Sequence, residues 1–236
     1  MKEILFETID STNTYLKNNY HKLEDMTFVC TNRQTNGRGR NSHKWDSDEN
    51  NLLFSLLIKN KVYFSLTNSI SIITAYSILE VLKKYKLVDL KIKWPNDVYS
   101  NGKKICGILL ESISQVEMNC LIIGVGLNVN QKIFDSNYDV CATSMFNELG
   151  DYIDINKLKY DVYLKLEDNL NKLINGYDFY QDIKQYDFLA NKDVYAYIGN
   201  EKTLVKVKGI DTDYSLKIFH QDLELSLKSD EISFHI

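Results

Sequence analysis

Lys93-Trp94-Pro95-Asn96-Asp97-Val98-Tyr99-Ser100-Asn101-Gly102-Lys103-Lys104-Ile105-Cys106-Gly107 is the stretch on which the fold turns. Proline lacks an amide hydrogen and holds the residue before it extended, so a central strand is expected to break at Trp94-Pro95. Such a break exposes backbone and polar side chains where a ligand can be held. Asn101-Gly102 then predicts a two-residue hairpin turn between strands at 97–100 and 103–113. In the simplest register Ser100 opposes Lys103, Tyr99 opposes Lys104 and Asp97 opposes Cys106. Asp97, Tyr99, Lys104 and Cys106 would share one face, with Val98 and Ile105 on the other. Asp97 and Lys104 become diagonal neighbours about 7–8 Å apart at Cα. That spacing suits a pair bracketing a small ligand, and equally an ordinary rim salt bridge.

Outward from this hairpin, strands are expected at 3–9, 27–33, 52–58, 90–94 and 117–129. Asp10-Ser11-Thr12-Asn13 offers N-cap chemistry for a helix to about Leu23. Residues 65–85 keep helical apolar spacing except at Ser77, and Leu158, Val162, Leu166, Leu170 and Leu173 form one stripe of a helix at 156–175. Residues 34–50 are polar, carry glycine and lack periodicity, as a functional loop would. After Asp193 the pattern changes to short alternating runs, the mark of a small β-barrel. The expected class is α+β: a mixed-sheet domain over 1–190 and a small β domain over 191–236.

The 236 residues are 44% hydrophobic, and the formal net charge of -4 with a pI near 5.6 leaves no footprint for holding phosphate backbones. No DNA partner is therefore expected. No stretch approaches the ~20 uninterrupted apolar residues of a membrane span, and the N-terminus lacks a signal-peptide pattern. Cys30, Cys106, Cys120 and Cys141 are widely spaced, as reduced and mostly buried thiols of a cytoplasmic protein would be.

Rare residues are concentrated. The three arginines, Arg33, Arg38 and Arg40, fall within eight residues, and six of the ten glycines (Gly37, Gly39, Gly102, Gly107, Gly124, Gly126) lie in the same few segments. Glycines permit close backbone approach, and guanidinium forks match phosphate or carboxylate oxygens. Gln34 to Trp45 is thus expected to hold an anion, the plainer alternative being a solvated loop, and it is not a Walker A sequence. Gly124-Val125-Gly126-Leu127-Asn128 fails as a dinucleotide motif, because Val129 stands where the third glycine belongs; its glycines would instead let a ligand lie against the strand. The histidines show no metal-ligand spacing, and no G-x-S-x-G is present.

Taken in order, Asp10-Ser11-Thr12-Asn13, Gln34 with Gly37-Arg38-Gly39-Arg40 and Lys44-Trp45, Lys93 to Tyr99, Lys103 to Leu109, and Gly124 to Asn128 resemble the biotin–protein ligase family over nearly the whole chain. The likeness is to its short form without an N-terminal DNA-binding domain, since Ser11 lies too early to leave room for one. The resemblance implies a catalytic domain related to class II aminoacyl-tRNA synthetases, followed by an SH3-like β-barrel. It implies ATP-dependent activation of biotin to biotinyl-5'-AMP, with Mg2+, and transfer to a lysine of a biotin carboxyl carrier protein.

By residue, the resemblance implies that Ser11, Thr12, Asn13, Gln34, Gly37, Arg38, Gly39 and Gly107 bind biotin. Arg38, Arg40, Trp45, Asn96, Lys104 and Asn128 would hold the nucleotide. Arg40, Lys104 and Asp97 would be catalytic, with Asp97 meeting the incoming amine. No resident metal site is expected. Family members form edge-to-edge homodimers, though the sequence does not single out an edge. His43 stands where many members carry arginine, so His43→Arg is expected to slow leakage of the adenylate. A lipoate–protein ligase and a non-catalytic biotin-binding module remain as alternatives, separable by which acid, if any, drives pyrophosphate release.

Overall fold

The computed structural model describes residues 2–40, 44–45, 50–114, 117–134, 141–198, 201–221, 223–229 and 232–234. Strands β1 (Lys2–Ile9), β2 (Thr27–Gln34), β3 (Leu52–Ile58), β4 (Leu90–Lys93), β5 (Asp97–Ser100), β6 (Lys103–Ser114) and β7 (Met118–Leu127) form one sheet in the order β1-β2-β3-β7-β6-β5-β4. β1 is parallel to β2 and the remaining pairs are antiparallel, so the sheet is mixed. β3 lies between β2 and β7, and all seven of its residues are buried, which explains its unbroken apolar run apart from Ser55.

Alternation divides the sheet into two faces. Phe28, Cys30, Phe54, Leu56, Ile108, Ile123 and Val125 join one large core with helices α2 (Thr67–Lys84) and α4 (Ile155–Ile174). All five residues of the predicted α4 stripe are buried there. Each such side chain contributes about 1.5–3 kcal/mol by leaving water. Ser77, the break in the α2 pattern, is itself buried; its hydroxyl donates to the Ile73 carbonyl and accepts from Asn169 Nδ2 of α4 at 3.0 Å. The segment Lys61–Lys84 is apolar and long enough to cross a membrane by length and composition, and the core accounts for that character: eleven residues of α2 are buried inside the fold.

On the opposite face, Leu16 of helix α1 (Thr12–Asn19) covers Val29, Leu57, Cys120 and Ile122. This smaller core ends where the strands change to Ser55, Gly124 and Gly126. There Asn13 and Trp45 take the place of apolar side chains over the strands, and the groove they line is the candidate ligand cleft.

Two expectations for the central hairpin require correction. Trp94-Pro95-Asn96 does not interrupt a central strand; it is the turn between β4 and β5 at the edge of the sheet. Proline's missing amide is tolerated at such an edge, because no ladder partner needs it. Asn101 and Gly102 do form the turn, with φ of 49° and 73°. Ser100 opposes Lys103 and Tyr99 opposes Lys104, but the register then shifts, so that Val98 opposes Cys106 and Asp97 opposes Gly107. The extra residue is a β-bulge, which buries both Ile105 and Cys106. Cys106 therefore joins Val98 in the core and does not share a face with Lys104.

Short helices α3 (Met145–Leu149) and α5 (Tyr180–Lys184) complete the first part of the chain. The chain from Tyr186 to Phe188 then runs beside β4, bonding Ile92 on both sides, and closes that edge of the sheet. Beyond it, β8 (Asp193–Ile198), β9 (Glu201–Ile210), β10 (Leu216–His220), β11 (Leu223–Leu227) and β12 (Ile232–Phe234) make a barrel-like antiparallel sheet in the order β11-β10-β9-β8-β12. The two sheets are tied together by Trp94, whose indole Nε1 donates to the Tyr214 carbonyl at 2.9 Å, and by Asp187, whose carboxylate accepts from the amides of Leu189 and Ile210.

Candidate active site

The cleft has a polar end and a charged end. At the polar end, Ser11 is the N-cap of α1 and accepts from the Thr14 amide. The Thr12 hydroxyl lies 2.6 Å from Ser55 Oγ, and Gln34 Oε1 accepts from both the Thr12 amide and hydroxyl. Ser11, Thr12 and Asn13 are each only 3% exposed. The helix start thus delivers several neutral donors and acceptors to one buried point.

The floor is made by glycines. Gly107 of β6 and Gly126 of β7 are register partners, and Gly124 lies two residues further along. A Cβ at Gly126 would lie 2.3 Å from Trp45 Cε2, one at Gly107 would lie 2.7 Å from Trp45 Cζ3, and one at Gly124 would lie 2.3 Å from Asn13 Oδ1. Side chains could not occupy these strand positions while Trp45 and Asn13 lie where they do. The Trp45 amide donates to the carbonyl of Gly37, which is buried, and Arg38 bridges to Lys44, so the glycine–arginine loop folds back over this floor.

At the charged end, Lys104 Nζ lies 2.8 Å from Asp97 Oδ2 and 5.5 Å from the centre of the Trp45 ring. The other oxygen, Asp97 Oδ1, is buried and accepts no hydrogen bond among the described residues. Asn96 clamps the turn onto β6: its Nδ2 donates to the Ile108 carbonyl at 2.7 Å and its own carbonyl accepts from the Ile108 amide. Arg40 reaches from the loop to Asn96 Oδ1 at 3.3 Å and to the backbone carbonyl of Ser229. The loop, the Trp94–Asn96 turn and the C-terminal part of the chain therefore meet at one guanidinium. Gly39, between the two loop arginines, is half-buried.

Asn128 stands aside from this group. It is 5% exposed, and its Nδ2 holds the Thr143 carbonyl while its amide donates to Ile105. His43 lies outside the described residues.

Four contributors were not anticipated. Glu111 accepts from Asn13 Nδ2 at 2.7 Å, Lys17 Nζ at 2.6 Å and Arg38 Nη2 at 3.2 Å, joining the helix start to the glycine–arginine loop. Burial works to raise its carboxyl, but the hydrogen bonds from Lys17 and Asn13 and the charges of Lys17 and Arg38 leave it lowered. Ser55 donates to Asn13 Oδ1. Lys93, cross-strand partner of Asp97, is 9% exposed; burial lowers its ammonium, against the pull of Asp97. Burial also pushes the Tyr99 hydroxyl and the Cys106 thiol upward, and both are further raised by Asp97. Lys93 was visible in the motif and the polar strand position of Ser55 was a signal; the pairing of Glu111 with Lys17 had none.

Fold and cleft define the class: an α+β domain with a small-ligand cleft along glycine-bearing strands, backed by a barrel-like antiparallel sheet. A model of the biotin/lipoate A/B protein ligase family matches residues 5–128, more than half of the chain, and the chain belongs to that family. It is 32% identical over 156 residues to the bifunctional ligase/repressor BirA of Bacillus subtilis (strain 168), covering 64% of this chain and 47% of that protein. It is 26% identical over 240 residues to BirA of Salmonella typhimurium, covering 94% of this chain and 73% of that one. The chain spans about half the length of the Bacillus relatives it matches. Among solved structures, the biotin protein ligase from Aquifex aeolicus in complex with biotin and ATP superposes with a TM-score of 0.87 at 28% identity, covering 98% of this chain and 97% of that one.

Proposed function

We propose that this protein activates biotin with MgATP to biotinyl-5'-AMP and transfers the biotinyl group to a lysine of a biotin carboxyl carrier protein. The observation that carries this reading is the division of the cleft. Side-chain hydroxyls and amides at Ser11, Thr12, Asn13 and Gln34 suit an uncharged urea, while Lys104 beside Asp97 and Arg40 beside Asn96 suit a carboxylate and phosphates; Arg38 is held at the urea end by Thr14 and Glu111. Lipoate has no urea with which these groups could exchange hydrogen bonds.

In the first half-reaction the biotin carboxylate attacks the α-phosphorus of ATP and pyrophosphate leaves. No enzyme nucleophile is needed; the task is to orient the reactants and neutralise growing charge on phosphate oxygens. Lys104 and Arg40 are the cations for this, and Trp45 offers a face to the adenine. Magnesium enters with the nucleotide as part of that substrate. In the second half-reaction the lysine amine attacks the acyl carbon and AMP leaves. Asp97 Oδ1 is the acceptor for the ammonium proton. Arg38 and the loop glycines Gly37 and Gly39 keep water from the anhydride.

The reading extends to a cytoplasmic setting, supported by four free cysteines of which three are buried. It extends also to edge-to-edge homodimers, for which β1 is an edge strand of the seven-stranded sheet, with Leu5 60% exposed.

The test is incubation with MgATP, biotin and a biotin carboxyl carrier domain, followed by mass spectrometry. Modification of one lysine, abolished when that lysine is replaced, supports the reading; an unmodified carrier with all components present contradicts it.

A further inference from the structure

Lys93 is the one buried lysine of the cleft region that the proposed chemistry leaves without a task. It lies on β4 directly opposite Asp97 on β5, so the two side chains share a face. Its ammonium is 5.8 Å from the centre of the Tyr99 ring, and it makes no hydrogen bond or ion pair among the described residues. Burial of this side chain disfavours its charge, and the Asp97 carboxylate across the strands opposes that.

Resting on the biotin–ligase reading, we propose that Lys93 is a positioning residue for the transfer step, keeping Asp97 ionised once Lys104 has turned to the adenylate. Lys104 faces two demands. In the free protein it is the ion-pair partner of Asp97, at 2.8 Å. In the proposed chemistry the same ammonium is drawn to the carboxylate and phosphate of the reacting acid. Without Lys104, Asp97 would sit half-buried near Lys93, the Tyr99 hydroxyl, the Cys106 thiol and, through Asn96, Arg40 of the loop. Lys192 of the chain segment leading into β8 adds positive charge from the far side of Lys93, over the Phe188 ring that stacks on Tyr99.

Among these groups Lys93 is the cation opposite Asp97. A partly buried carboxylate binds protons more readily once neighbouring cations are withdrawn. A protonated Asp97 could not accept one from the attacking amine. Lys93 thus separates the two roles of Lys104: it lets that lysine leave without switching off the base.

The experiment compares wild type, Lys93→Met, Lys93→Gln and Lys93→Arg in two single-turnover assays across pH: biotin-dependent pyrophosphate release, and transfer from biotinyl-5'-AMP to a carrier domain. In Lys93→Met the acidic limb of the transfer profile is expected to move to higher pH by about one unit, which is tenfold in the ionised fraction below the limb. Below the limb, transfer should fall up to about tenfold more than pyrophosphate release. Lys93→Arg, which keeps the charge, should restore the limb. Lys93→Gln provides the same comparison with a polar filler should the methionine variant not fold.

An unmoved limb in the folded neutral variants, or a parallel fall of both half-reactions, overturns the proposal. Absence of any biotin transfer by wild type would instead overturn the biotin–ligase reading on which it rests.

Discussion

Gly107 and Gly126 face each other across β6 and β7, and the Trp45 ring occupies the space that a side chain on either would need. The pairing makes the floor of the cleft an intolerant surface. In Gly126→Ala the new methyl would start 2.3 Å from the indole. The ring must move or the strand must strain, at about 1–3 kcal/mol. Because the ring is assigned to the adenine, the apparent KM for ATP should rise about tenfold or more while that for biotin changes less. Steady-state pyrophosphate release at varied ATP and biotin checks this, and an unchanged KM for ATP would remove Trp45 from the nucleotide site.

Glu111 should couple the biotin end of the cleft to the glycine–arginine loop. In Glu111→Gln, Lys17 and Arg38 lose their shared anion, so biotin binding should weaken and biotinyl-5'-AMP should escape faster. Stopped-flow measurement of adenylate release reads this directly. Equal release from variant and wild type would show that the loop closes without Glu111.

The same carboxylate has a signature in acid. Its folded value lies below the ordinary 4.5, so its stabilising contribution is complete above the unfolded value and is lost as pH falls through the folded one. Urea unfolding midpoints of wild type should drop across that interval more steeply than those of Glu111→Gln. Parallel profiles would mean that Glu111 has the same affinity for protons in both states.

Trp94→Phe should weaken the attachment of the second sheet. The indole hydrogen bond to the Tyr214 carbonyl is buried, and leaving that carbonyl unsatisfied costs about 1–3 kcal/mol. Tyr214 is also held by its hydroxyl, which accepts from the Phe179 amide and donates to Asp178, so the loss should be local. Calorimetry should show a lower melting temperature. An unchanged melting temperature would assign the docking to apolar contacts alone.

Much of this architecture was legible in the chain because it depends on local chemistry. Asn101-Gly102 specifies its turn through two positive φ values, and the leucine stripe of α4 specifies its buried side. The bulge at Ile105 was not legible: Ile105 and Cys106 fit either register by polarity, and only packing against Val98 decides between them. The edge position of β4 was hidden for a similar reason, since the covering segment at Asp187 is far away in sequence. At the cleft, compact motifs were recognisable, whereas Glu111 and Lys17 meet from a strand and a helix ninety-four residues apart. No spacing rule links such a pair.

The central claim is that this cleft activates biotin, and pyrophosphate release from purified protein with MgATP tests it most directly. Biotin, lipoate and octanoate are compared, with Lys104→Ala as the control. Release with biotin and not with the other acids, lost in Lys104→Ala, is the predicted result. Release with lipoate or octanoate instead, or release that Lys104→Ala leaves intact, would contradict it.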